Sequence, residues 1–110
     1  MDMNGVWSVE MLGLYDWEPV ATAFLEDGVY RSASENHYST GHYEITENKI
    51  KVSAHHVSYG QTRTLFGAKN KEISLNFEGE LEGGRVMGQA TDDQGKFFIT
   101  FRATRLAELP

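Results

Sequence analysis

The chain has 110 residues, 40% of them hydrophobic and 24% charged, with a net charge of -6. That length bounds it to a single domain, residues 1–110, with one core. The absence of cysteine excludes a disulfide scaffold, a thiolate zinc site and a cysteine nucleophile. The acidic balance repels phosphate, which argues against nucleic acid and anionic membrane as partners.

The opening Met1-Asp2-Met3-Asn4 carries no basic region and leads into no apolar core of signal-peptide type. No run approaches the roughly 18 apolar residues a membrane helix needs. The expectation is a soluble, cytoplasmic protein. Residues 1–58 hold all of the net negative charge and residues 59–110 are neutral overall. The first half therefore reads as a solvated acidic face or as a docking surface for a basic partner.

Eleven glycines, two prolines and alternating segments of about ten residues are the signature of an all-β meander. Strands are predicted at 5–14, 18–26, 29–34, 39–46, 49–57, 71–82, 85–92 and 96–105. In the first, Trp7, Val9 and Met11 alternate with Val6, Ser8 and Glu10. Asp27-Gly28 then joins the second strand to the third in a tight turn. The inner face of the second strand stays open, since Phe24 and Leu25 are both large and apolar.

With Glu47-Asn48 at the next turn, Ile45 faces Ile50, Tyr43 faces Val52 and Gly41 faces Ala54. Glu44 meets Lys51 on the other face. The segment from Tyr59 to Ala68 is the longest connection, and its Leu65-Phe66 reads as a core plug or as a lid over a cavity mouth. Gly83-Gly84 sets the last hairpin of the middle region: Glu82 opposite Arg85, Leu81 opposite Val86, Gly79 opposite Gly88 and Phe77 opposite Ala90. A one-residue slip would bury several carboxylates at several kcal/mol each. Phe97, Ile99, Phe101 and Ala103 form one face of the last strand. Two long, strongly patterned terminal strands would be exposed edges in an open sheet. The predicted fold is therefore an eight-stranded antiparallel up-and-down β-barrel, with a two-sheet β-sandwich as the alternative.

Several segments carry a resemblance to a known family. Asn4-Gly5-Val6-Trp7-Ser8-Val9, Asp27-Gly28, Tyr38-Ser39-Thr40-Gly41-His42-Tyr43, Leu65-Phe66-Gly67 and Gly79…Gly88…Phe97-Phe98-Ile99 together resemble the GrlR-like family, named for a negative regulator of type III secretion. The resemblance implies a small lipocalin-like barrel, a cytoplasmic dimer, and a protein that works by binding. The acidic partner-binding turn of that family falls on Thr46-Glu47-Asn48-Lys49, so Glu47 and Asn48 are the candidate partner turn.

The facing small pairs Gly79/Gly88 and Gly41/Ala54 point inward in these registers and predict room in the interior. Bulky neighbours fill that room, or it is an apolar ligand cavity lined by Trp7, Tyr43, His56, Gly79, Gly88 and Phe101. His42 and His55 are diagonal neighbours on an outer face and His56 points inward. His56 is the candidate for a polar contact to a ligand, to Tyr43 or to a backbone carbonyl. No Gly-x-Ser-x-Gly, Walker-type loop or His-Glu-x-x-His occurs, so no catalytic, cofactor or metal residue is assigned. Met87 and Phe98 fall outward on adjacent strands and form a candidate dimer patch if they lie beside Val6 or Leu12. The expected function is non-enzymatic binding of another protein or of a second copy. A carrier of a small apolar ligand is the alternative, and a small barrel enzyme using His56 is the least favoured.

Overall fold

A computed structural model describes residues 3–59, 72–95 and 98–110. Eight antiparallel strands run in order: β1 (Gly5–Leu12), β2 (Trp17–Glu26), β3 (Val29–Ala33), β4 (His37–Thr46), β5 (Lys49–Ser58), β6 (Glu72–Glu82), β7 (Arg85–Asp92) and β8 (Phe98–Ala107). Each pairs with the next, and β8 pairs with β1, so the sheet closes into a barrel. Closure removes both terminal edges, which is the physical reason a sandwich loses to a barrel here. Among the described residues no helix is long and apolar enough to cross a membrane. Residues 65 and 66, read above as plug or lid, lie outside the described residues, as does Phe97.

The hairpin registers follow from alternation and turn chemistry. Ile45 pairs with Ile50, Tyr43 with Val52, Gly41 with Ala54 and Glu44 with Lys51. Leu81 pairs with Val86, Gly79 with Gly88 and Phe77 with Ala90. Asp27 and Gly28 both adopt left-handed φ, at 49° and 86°, as a type I′ turn requires. At the other two hairpins only the first turn residue does so, Glu47 at 59° and Gly83 at 64°. The ambiguity on β2 resolves with Leu25 inside and Phe24 exposed. Leu25 pairs with inward Gly5 on one side and with buried Tyr30 on the other, so the pleat turns it to the core.

The two ends of the barrel differ. The end bearing the three tight hairpins and both chain termini is here called the turn end. The other, where residues 13–16 join β1 to β2, residues 34–36 join β3 to β4, and β5, β6, β7 and β8 have their remaining ends, is the loop end. The turn end is clasped by Asn4. Its side-chain oxygen accepts the Asp27 backbone N–H at 2.8 Å and the Tyr43 hydroxyl at 3.2 Å, and its amide donates to Asp27 Oδ1 at 3.0 Å. Arg105 of β8 donates to the Asn4 carbonyl at 2.5 Å, and the Trp7 indole N–H donates to Met3 O at 3.0 Å. These bonds satisfy polar groups that would otherwise be stranded where the chain crosses the barrel mouth.

Candidate functional site

The core is continuous and aromatic. Trp7, Leu25, Tyr30, Val52, Phe77, Val86 and Phe101 are all buried. Phe77 lies 6.0 Å from Tyr30 and 5.2 Å edge-on from Phe101, the geometry aromatic pairs favour. An apolar cavity among these side chains measures about 40 Å³. That is far below the roughly 150 Å³ at which an engineered apolar cavity takes benzene.

The glycine pairs require a correction. They do not mark room inside the barrel. A Cβ on Gly88 would overlap the Glu78 carbonyl and lie 2.5 Å from Gly79 Cα. One on Gly79 would lie 2.7 Å from Val86 Cγ1 and 2.9 Å from Met87 O. One on Gly41 would overlap the Ser53 carbonyl and lie 2.7 Å from Ala54 Cα. Glycine is present because the backbones of neighbouring strands approach too closely for any side chain, as at the bends of a small barrel. Lacking side chains, Gly79 and Gly88 also border an outer groove with Lys49, Glu80 and Met87.

Of the six residues predicted to line one cavity, only Trp7 and Phe101 share the 40 Å³ space. Tyr43 sits at the turn end on Asn4. His56 belongs to a separate space of about 10 Å³ towards the loop end, lined also by Met11, Tyr30, Ser32, His37, Ser39 and Phe77.

This second group is polar and buried, and the sequence reading found only His56 of it. Ser39 pairs with His56, and His37 with Ser58, across β4 and β5. His37 and His56 are thus diagonal neighbours on the inner face, their rings 4.8 Å apart and tilted by 48°. His56 is only 3% exposed. Its Nδ1 contacts Ser39 Oγ at 2.7 Å, so its partner is neither Tyr43 nor a backbone carbonyl. Its Nε2 and the Nδ1 of His37 are buried without a hydrogen-bond partner. Burial, with smaller contributions from His37 and His55, pushes the His56 imidazole down to about 4. Burial lowers His37 as well, and raises the Tyr30 phenol. All three groups are neutral at pH 7.

A serine against a histidine invites a catalytic reading, but the space beside this pair is that of about one water. On the outside, His55 Nε2 is engaged by Glu72 Oε1 at 2.9 Å. Among the described residues no three His, Cys, Asp or Glu side chains converge as a metal site.

The outer surface offers the other candidate. Phe98 is 62% and Met87 45% exposed, but the proposed patch is split. Met87 pairs with Arg102 and Phe98 with Thr91, four residues apart along the strands and so about 13 Å. The β1–β8 register brings Phe98 to the β1 end that carries Leu12, and not to Val6. The strand alternation did not reveal the tip between β1 and β2, where Leu14 is 86% and Tyr15 94% exposed. Leu12, Leu14, Tyr15, Tyr38, Tyr59 and Phe98 are all exposed and all belong to the loop end. Glu47 and Asn48 are exposed at the opposite, turn end. No protein-family model and no curated protein matches the chain.

Proposed function

We propose that the chain is a non-enzymatic, cytoplasmic protein-binding barrel of the GrlR-like kind, acting as a homodimer or on a second protein through its outer surface. The observation that supports this reading is the contrast between inside and outside. The interior retains about 40 Å³ among packed aromatics, whereas six large apolar side chains stand exposed around one end. Exposed apolar side chains gathered at one place favour association. The same contrast weighs against a carrier of a lipid-like ligand, because such a ligand needs several hundred Å³ of cavity.

Native mass spectrometry of protein purified from cells, together with sedimentation velocity, tests the proposal. The expected result is an assembly with no retained small molecule, weakened by Leu14→Asp with Tyr15→Asp or by Phe98→Asp. A monomer carrying a stoichiometric apolar molecule would overturn it in favour of the carrier.

A further inference from the structure

The loop end contains two imidazoles packed against each other in a nearly filled corner of the core. His56 Nε2 and His37 Nδ1 are buried without partners, the rings touch at 4.8 Å, and the adjoining space is about 10 Å³. A charged imidazolium there would have room for at most about one water beside it.

From β1 and β2 the space is lined by Val9, Met11, Val20 and Ala21. From β3 come Tyr30 and Ser32, and from β4 His37 and Ser39. From β6 comes Leu75, with Ile73 as the register partner of His56. On β5 itself His55 faces outward and is held by Glu72 on the outer face. From β7 comes Asp92, half-buried, the register partner of Leu75 and in phase with buried Val86 and Ala90, so one carboxylate lies on the inner side at this end, and it has an interaction of its own. Residues 60–71 contribute Arg63, Lys69 and Lys71 to the sequence and no acidic residue.

The contacts that hold this corner shut lie on the surface. Tyr59 donates its hydroxyl to Ser34 O at 2.9 Å and its backbone N–H to Asn36 O at 2.9 Å, and Ser34 N–H donates to His37 O at 2.9 Å. Bonds of this exposed kind open locally, well below the free energy of global unfolding.

We propose that His37 and His56 form an acid-operated latch, in which protonation of the pair swings the loop-end termini of β4 and β5 outward and uncovers the barrel interior. In the shut state Ser39 holds His56 and the two rings cap Met11, Tyr30, Leu75 and Phe77. One proton leaves a poorly hydrated imidazolium in this corner, and a second places two positive rings 4.8 Å apart; carrying one ring into water relieves both. The remaining strand pairs, including the Asn4 clasp at the far end, stay intact. The latch thereby links pH to access to the apolar interior.

The test is an acid titration from pH 7.5 to 3.5, followed by far-UV circular dichroism, 1-anilinonaphthalene-8-sulfonate fluorescence and the histidine ring signals in NMR. Dye fluorescence is expected to rise several-fold as the His56 signal titrates, while the strand signal is retained. His56→Gln and His37→Gln each remove the partner proton and are expected to abolish or shift this step; the two variants guard against one failing to fold. The proposal fails if strand content and dye binding change together in a single transition. It also fails if the step persists unchanged in both variants, or if His56 titrates without any rise in dye binding.

Discussion

Gly88 and His56 are the two single residues with the sharpest consequences. A methyl group at Gly88 meets the backbone of β6, which cannot give way cheaply. Gly88→Ala is expected to cost about 1–3 kcal/mol, the range for overpacking a filled site. Gly84→Ala, where the nearest atom is Arg105 Cβ at 4.0 Å and φ is not left-handed, should stay within about 0.5 kcal/mol. Urea denaturation of both variants makes the comparison, and equal effects would contradict the close-approach reading. For His56 the sign follows from linkage. Its folded value of about 4 lies below the ordinary 6.5, so the unfolded chain takes up the proton first as pH falls. Stability from this group is fully present above about pH 6.5 and is lost progressively down to about pH 4. The loss amounts to at most roughly 3 kcal/mol. Urea midpoints at pH 7, 5.5 and 4 should fall in the wild type and vary less in His56→Gln.

At the scale of strands and hairpins, most of the architecture could be read from alternation and turns. Gly83-Gly84 and Glu47-Asn48 each leave one register in which carboxylates stay outside, and the observed pairs are those. What could not be read depended on neighbours distant in sequence. The choice between Phe24 and Leu25 is made by Gly5 and Tyr30 on the flanking strands. The glycine pairs were correctly placed inward, but whether an inward glycine marks space or close approach depends on how tightly the sheet curves, which no local pattern encodes. β4 begins at His37 and not at residue 39, because its first inward residues, His37 and Ser39, are polar and carry no hydrophobic signal. The candidate site was missed for the same reason. The β1–β8 seam was inferred only from the need to close edges, and it is fixed by Arg102. That side chain forks onto Glu10 at 2.9 and 3.3 Å and lies 4.3 Å over the Trp17 ring. Glu10 is held below the usual carboxylate range by this guanidinium. Lysine cannot reproduce the fork or the stacking, so Arg102→Lys should lower Tm clearly. Lys51→Ala, which breaks an exposed 3.9 Å pair with Glu78, should change stability by no more than about 0.5 kcal/mol. Differential scanning calorimetry of the two variants distinguishes a structural seam from surface decoration.

For the whole molecule, the arrangement of termini has a direct consequence. Val6 and Ala107 are register partners, so the start of β1 and the end of β8 lie side by side at the turn end. A circular permutant with a short glycine–serine linker between them and new ends at Gly83-Gly84 should retain the strand signal in circular dichroism, since tight exposed turns tolerate such cuts. Loss of that signal would mean that the β6–β7 turn nucleates the fold. The closed order β1 to β8 also means that seven of the eight strand pairings join consecutive strands, and the eighth joins the first strand to the last. A ribosome delivers these strands one at a time. At about 5–20 residues per second, β1 waits some 5–20 seconds before β8 exists to cover its edge. For that interval the nascent chain is an open ribbon, growing from one strand to seven, with an apolar face. The hazard of this barrel is therefore concentrated in its synthesis: a stalled or truncated message ending before residue 98 yields a sticky sheet, and co-translational chaperone dependence should rise steeply with any slowing of the codons for β8.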